Sequence, residues 1–215
     1  MMKVLANDGI SKAGEIALQD AGIEIIEAKG AQAQLANFIN ENAVDVLLVR
    51  SATKVPKELI DSCPTLKIIG RGGVGLDNID VEHAKAKGIY VINTPNASSR
   101  SVAEMVFAHF FSLARFLHEA NRMMPLEGES NFKALKKSYS NAVELEGKTL
   151  GVIGFGGIGK EVVKMGISLG MKVKVLTRSP KTATLSLNFF DGQQVDFRIS
   201  SDNNMDEFLK DSDFI

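Results

Sequence analysis

The sequence has no tryptophan, five prolines and one cysteine in 215 residues. A lone Cys63 excludes an intrachain disulfide and suits a reducing compartment, so a cytoplasmic location is expected. Neither sign of charge is in excess: 25 Lys and Arg stand against 26 Asp and Glu, a net charge of −1. The electrostatic drive for nucleic acid or an anionic membrane surface is therefore missing, and neither partner is expected. No apolar run approaches the roughly 18 residues of a membrane span. The start, Met1-Met2-Lys3-Val4-Leu5-Ala6, reaches Asp8 too early to hold a signal-peptide apolar region. No metal site is expected either. What is present is ordinary: 45% hydrophobic and 24% charged residues exclude disorder for the bulk and fit one large domain or two small ones.

Short apolar runs alternate with amphipathic stretches through the first hundred residues. Strands are expected at 3–6, 23–26, 46–49, 66–69 and 89–92, with helices at 11–21 and 31–42 and a short helix after Pro56. The third strand is bare of polar residues, as a strand buried on both faces should be. Strand and helix taking turns predicts a parallel sheet with helices on its faces. Residues 98–122 read as one long helix, and 123–145 as an irregular connection around Pro125 and Gly128 with a short helix at 132–137. The pattern then restarts with a strand at 149–153, a helix at 160–169 and a strand at 173–176. Alternation on both sides of Asp191-Gly192 predicts a β-hairpin over 185–199. A short helix at 205–210 follows. Asp213-Phe214-Ile215 reads as the start of a further strand, so the pattern breaks off before a Rossmann unit is complete and the sequence reads as a truncated chain.

Two glycine loops stand out. Gly154-Phe155-Gly156-Gly157-Ile158-Gly159 fits G-x-G-x-x-G between an apolar strand and a helix, with a second strand following. The first glycine permits the tight turn, the second lets backbone approach a pyrophosphate, and the third lets helix and strand pack closely. The helix N-terminus then presents free N–H groups to phosphate. Gly70-Arg71-Gly72-Gly73-Val74-Gly75 has the same spacing, but its next helix begins too late to face a pyrophosphate. It reads instead as a backbone cradle carrying one guanidinium, suited to a carboxylate.

The runs "VRSATKV" at 49–55, "GRGGVGLDNID…GIYVINTPNASSRSVAE" from Gly70 and "LEGKTLGVIGFGGIGKEV" from Leu145 together resemble the D-isomer-specific 2-hydroxyacid dehydrogenases, in particular their phosphoglycerate dehydrogenase branch. The resemblance implies an α/β protein of two parallel-sheet domains. Residues 1–97 would form a flavodoxin-like substrate domain and 98–215 an incomplete Rossmann dinucleotide-binding domain, with the active site in a cleft between them. It implies NAD(P)-dependent oxidation or reduction of a small anionic 2-hydroxy or 2-oxo acid, with D-3-phosphoglycerate of serine biosynthesis favoured. Hydroxypyruvate or glyoxylate reduction, and a non-catalytic dinucleotide sensor on the same fold, are the alternatives. Carried over by position, Arg50, Ser51, Arg71, Gly72, Gly73, Val74 and Asn96 match substrate-binding positions, Val74 also lying near the nicotinamide. Gly154, Gly156, Gly157, Ile158 and Gly159 match the pyrophosphate loop.

Three departures qualify the match. The family's catalytic Arg, Glu and His fall after the position of Ile215, so this chain alone is expected to be inactive, and His83, His109 and His118 are assigned structural roles. Ser98 replaces the Asn found in many relatives. The acidic residue at the end of the second Rossmann strand is replaced by Thr177, followed by Arg178, Ser179 and Lys181. A carboxylate there would accept hydrogen bonds from the ribose and repel a 2′-phosphate. Its replacement tilts the expected cofactor, NAD or NADP, towards NADP. Apolar residues on more than one face of 98–122, with relatives pairing through this region, predict a homodimer built on that helix.

Overall fold

The computed structural model describes residues 1–28 and 30–215 in two compact units, Met1–Ala97 and Ser98–Ile215. The first unit runs β1 (Lys3–Ala6), α1 (Lys12–Asp20), β2 (Glu24–Ile26), α2 (Leu35–Glu41), β3 (Val46–Val49), α3 (Lys57–Ser62), β4 (Ile68–Arg71), α4 (Val81–Ala86) and β5 (Tyr90–Asn93). Local chemistry sets several boundaries. The Ser11 side chain accepts from the Gly14 amide to start α1, and Asp80 does the same for the His83 amide at α4. Gly22 and Gly88 follow the two helices with φ of +73° and +75°, a conformation glycine adopts without steric cost. The stretch expected as one helix over 31–42 opens with a single 3₁₀ turn, Gln32–Gln34, before α2.

All five strands are parallel, in the order β2-β1-β3-β4-β5. This is the flavodoxin-like order, which reverses between β1 and β3; ligands of such sheets bind beyond the carboxyl ends of the strands at that point. The core is built from Leu5, Leu47, Val49 and Ile69 of the sheet with Leu35, Ile39, Leu59, Ile60 and Ala84 of the helices. Cys63 lies free in this core, and burial pushes its thiol up to about 11, so it stays protonated near neutral pH.

The second unit runs α5 (Ser99–Ala114), α6 (Leu117–Ser138), β6 (Thr149–Ile153), α7 (Gly157–Ser168), β7 (Lys172–Leu176), β8 (Thr182–Asn188), β9 (Gln194–Asp202) and α8 (Met205–Lys210). The expected single helix over 98–122 is two helices. They part at Phe116, a non-glycine residue with φ of +54°, whose ring stacks on Tyr139 at 6.0 Å between centroids. The connection expected over 123–145 is largely helical, because α6 continues through Pro125 to a kink at Asn131. A proline inside a helix frees the carbonyl four residues earlier. That residue here is the exposed Asn121, whose carbonyl water can satisfy.

The second sheet has the order β6-β7-β9-β8. It is mixed, where a parallel sheet was expected, because β8 and β9 form the anticipated hairpin. β8 pairs antiparallel with β9 from Thr182↔Ser200 to Asn188↔Gln194, while β9 runs parallel to β7 only at Val175↔Ser201 and Leu176↔Asp202. Most of the ribbon therefore extends past the sheet. Phe189 and Gln193 close its turn and Gly192 takes φ of +82°, the three-residue loop that ends in a left-handed glycine. Leu185 is buried, whereas Phe190 at the tip is fully exposed. Phe214 bridges to Leu150 in parallel register, as the start of a further strand should. No helix among the described residues is long and apolar enough to cross a membrane.

Candidate functional site

In the first unit, the carboxyl ends of β1, β3, β4 and β5 open into a cavity of about 690 Å³, whose lining includes Asp8, Ser11, Arg50, Arg71, Gly72 and Asn93. Arg50, Arg71 and Gly72, three of the positions that the resemblance picked out, line this one cavity. Ser51 faces a neighbouring cavity that Arg50 and Asp8 also line. Gly73, Val74 and Asn96 lie outside both linings among the described residues.

The loop after β4 is not a bare cradle. It wraps its own arginine. A Cβ on Gly73 would meet Arg71 Nε at 3.4 Å, and one on Gly75 would meet Asp77 Oδ1 at 3.0 Å and Arg71 Nη1 at 3.3 Å. These glycines leave room for a guanidinium folded back beneath the loop. Arg71 Nη1 donates to Asp77 Oδ1, and that bond holds the Asp77 carboxyl below its usual range. The guanidinium read as suited to a ligand carboxylate is therefore already paired on one side with a carboxylate of its own loop. On the other side Arg71 Nε is buried with no hydrogen-bond partner, an unmet donor of the kind that native structures rarely leave. Val74 O accepts from Asn93 Nδ2 at 2.7 Å and Gly73 O from the Thr94 amide at 3.1 Å. The Val74 and Gly75 amides make no hydrogen bond among the described residues.

Residues that sequence reasoning passed over hold the other arginine. Asp8, at the end of β1, accepts from the amides of Arg50 (2.6 Å) and Thr53 (3.1 Å) and from Thr53 Oγ1 (2.7 Å). Partial burial pushes its carboxyl up, but those bonds and the Arg50 charge outweigh burial and lower it. Asn78 donates to the carbonyls of Arg50 and Thr53. The only sequence signal was placement: Asp8 just past a buried strand, and Asn78 in the run that follows the second glycine loop.

In the second unit, β6 passes into α7 through the first glycine motif. Gly154 has φ of +98°, open to glycine and strained for other residues. A Cβ on Gly159 would stand 2.2 Å from Gly154 O, so helix and strand approach as closely as they do only because that atom is missing. A Cβ on Gly156 would meet nothing within 4 Å; the space over it is open. Gly156 is the N-cap of α7 with no side-chain cap bond. The amides of Gly157, Ile158 and Gly159 in the first turn therefore point outward without intrahelical partners, as an anion site requires.

Beside this loop, Thr177 follows the end of β7. Its Oγ1 bonds Ser179 O at 2.9 Å and Ser201 Oγ at 2.6 Å, and Ser201 Oγ accepts from the Lys181 amide. The hydroxyl serves the hairpin base, and Ser201 is a partner that sequence reasoning missed. Arg178 and Ser179 are exposed. Lys181 Nζ lies 5.9 Å from the Phe155 ring centroid. His109 and His118 are exposed on α5 and α6, while His83 Nε2 bonds Asp61 at 2.9 Å. No group of His, Cys, Asp and Glu among the described residues could hold a metal ion.

Comparison with known proteins places these features in a family. The model described as "D-isomer specific 2-hydroxyacid dehydrogenase, catalytic domain" matches residues 4–202. A hydroxypyruvate reductase of Thermotoga maritima is 40% identical over 99% of this chain and 63% of its own length. A D-3-phosphoglycerate dehydrogenase of Methanocaldococcus jannaschii is 42% identical over 80% of this chain and 32% of its own length. Among solved structures, an NAD⁺-bound 3-phosphoglycerate dehydrogenase of Entamoeba histolytica aligns with a TM-score of 0.64 at 25% identity, covering 98% of this chain and 60% of that one. The chain thus spans less than two thirds of the relatives it matches, and with its two glycine loops, its two sheets and a family match over nearly all of its length, it belongs to the D-isomer-specific 2-hydroxyacid dehydrogenases.

Proposed function

We propose that the protein moves hydride between NADP and a small anionic 2-hydroxy or 2-oxo acid, with D-3-phosphoglycerate the favoured substrate and the cytoplasm its place of work. In this reading residues 1–97 hold the acid and residues 98–215 the dinucleotide. The observation that carries it is the convergence of Arg50 and Arg71 on one cavity at the carboxyl ends of the strands. Two cations lining one cavity suit an anionic ligand. The free amides of Val74 and Gly75 can hold a carboxylate, and two guanidinium groups suit a substrate with a second anionic group.

The glycine loop fits a dinucleotide. Gly156 leaves open space where a pyrophosphate would approach, and the first-turn amides of α7 would hold its oxygens. When bound, the nicotinamide accepts or supplies the hydride. The chain's own residues bind and orient. Arg71 and the loop amides fix the carboxylate, Arg50 adds a second cation, and Arg178 and Ser179 offer donors to a 2′-phosphate. The resemblance puts the proton-transferring groups after the position of Ile215.

A homodimer through 98–122 belongs to the same proposal. Phe107 and Phe110 fill the core of the second unit, but Met105 and Leu113 are 59% and 73% exposed, more apolar surface than one sheet consumes.

Hydroxypyruvate reduction is the second reading, favoured by the Thermotoga maritima relative, which matches 99% of the chain. Calorimetric titration of the purified chain with both acids separates the two. Tighter binding of phosphoglycerate, weakened more than that of hydroxypyruvate by Arg50→Ala, is expected. Equal or tighter binding of hydroxypyruvate overturns the substrate assignment.

A further inference from the structure

The segment 50–53 has no strand or helix partner of its own, yet side chains from elsewhere hold its backbone at both ends. Asp8 Oδ2 accepts from the amides of Arg50 and Thr53, and Asn78 Nδ2 donates to the carbonyls of the same two residues at 2.8 and 2.6 Å. The Thr53 hydroxyl is fixed in polarity. Asn7 Nδ2 donates to it at 2.7 Å, and it donates to Asp8 Oδ1 at 2.7 Å. Asn7 and Thr53 are 5% and 3% exposed. Asn7 is anchored in turn by the Gly30 amide. Just beyond the segment, Gln32 bonds both the amide and the carbonyl of Lys54.

Two features need an explanation. Asp8 puts a carboxylate against the cavity read above as an anion site, where its charge opposes the ligand. Asn78 keeps its Oδ1 buried without a partner, a placement that costs stability. Both follow if the loop must be held in one conformation: the Asp8 oxygens and the Asn78 Nδ2 are taken up by loop donors and acceptors, and the unmet Asn78 Oδ1 is the cost of that placement. Ordering a loop before binding removes that cost from the binding step.

We infer that Asp8, acting with Thr53 and Asn78, is a positioning residue that fixes the Arg50 backbone so that its guanidinium is presented to the substrate anion. This rests on the reading of the cavity as the substrate site. Asp8 need not touch the ligand, and Arg50, whose amide and carbonyl are both fixed, makes no side-chain hydrogen bond or ion pair among the described residues.

The sign of one substitution decides between positioning and bystander charge. Asp8→Asn removes a negative charge beside the anion, so a bystander Asp8 predicts tighter binding. Positioning predicts weaker binding, by about ten-fold, because an acceptor oxygen is replaced by a donor facing the Thr53 hydroxyl. Thr53→Val should act in the same direction, Thr53→Ser should restore affinity, and dinucleotide affinity should stay unchanged in all three. Amide hydrogen exchange at residues 50 and 53 should speed up in the Asn and Val variants. Calorimetry would use the full chain with D-3-phosphoglycerate, hydroxypyruvate and inorganic phosphate as probes. Unchanged or tighter binding by Asp8→Asn and Thr53→Val overturns the positioning role while leaving the anion site standing. Binding of none of the three probes by the unmodified chain overturns the anion site, and the positioning role with it.

Discussion

Two glycines three residues apart should respond oppositely to alanine. At Gly159 the added carbon would lie 2.2 Å from Gly154 O and 3.1 Å from its carbonyl carbon. Both are backbone atoms, which no side-chain rotation can move, so α7 must shift away from β6. Overpacking of this kind costs about 1–3 kcal/mol and occasionally more; a clash with fixed backbone puts Gly159→Ala at about 3 kcal/mol or beyond. At roughly 2–4 °C per kcal/mol for a chain of this size, Tm should fall by about 6–12 °C. At Gly156 the added carbon meets nothing within 4 Å, and φ is −85°. Alanine is a poorer N-cap than glycine, so Gly156→Ala should cost only about 0.5–1 kcal/mol. Its methyl group would stand where the pyrophosphate approaches, so dinucleotide affinity should drop by about ten-fold or more although the fold is kept. Thermal unfolding and NADP⁺ calorimetry on the two variants check both halves. A Gly159→Ala protein as stable as the parent would show that the close approach of α7 to β6 is not needed, and a Gly156→Ala protein that binds NADP⁺ undiminished would show that the dinucleotide does not pass over Gly156.

Thr177→Asp should shift preference towards NAD⁺, and Arg178→Ala should weaken NADP⁺ by about five-fold while sparing NAD⁺, the low end for an exposed charge-assisted pair; parallel titrations with the two cofactors measure it, and an unmodified chain that prefers NAD⁺ contradicts it. Leu185→Ala, at a buried position in β8, should cost about 2–4 kcal/mol, whereas Phe190→Ser at the exposed tip should stay within about 0.5 kcal/mol, both read from urea midpoints. The Lys87 ammonium and then His83 draw Asp61 down from 3.8 to about 2. A depressed carboxyl stabilises the fold above its unfolded value and loses that contribution as pH falls through the folded one. The gap in Tm between the parent and Asp61→Asn should therefore close between pH 3.8 and about 2, and a gap that stays constant through that window would count against the ion pairs.

Periodicity served the first unit well because its strands are short and mostly apolar, and several of its elements are bounded by a cap or a glycine, as at Ser11, Gly22, Asp80 and Gly88. It failed where tertiary contacts overrule local signals. Nothing in the sequence around Phe116 marks a break; the left-handed turn is accompanied by a ring stacked on Tyr139, a residue far along the chain. Pro125 read as a helix breaker, but on an exposed helix the freed carbonyl finds water and α6 continues. The first glycine loop was legible because its glycines answer separate geometric demands, and the structure shows the left-handed turn at Gly154 and the close helix–strand packing at Gly159, with open space over Gly156. Arg71 was legible as a residue but not as an ion pair, since Asp77 reaches it only when the loop folds back. Asp8, Asn7, Thr53 and Asn78 left almost no trace, because single polar residues at strand ends acquire meaning only when segments distant in sequence converge.

The decisive measurement is a crystal structure of the chain grown with NADP⁺. Pyrophosphate oxygens should lie within hydrogen-bond distance of the Gly157 and Ile158 amides, over the open face of Gly156, with the 2′-phosphate against Arg178. A dinucleotide bound elsewhere, or a glycine loop left empty at saturating cofactor, would contradict this placement.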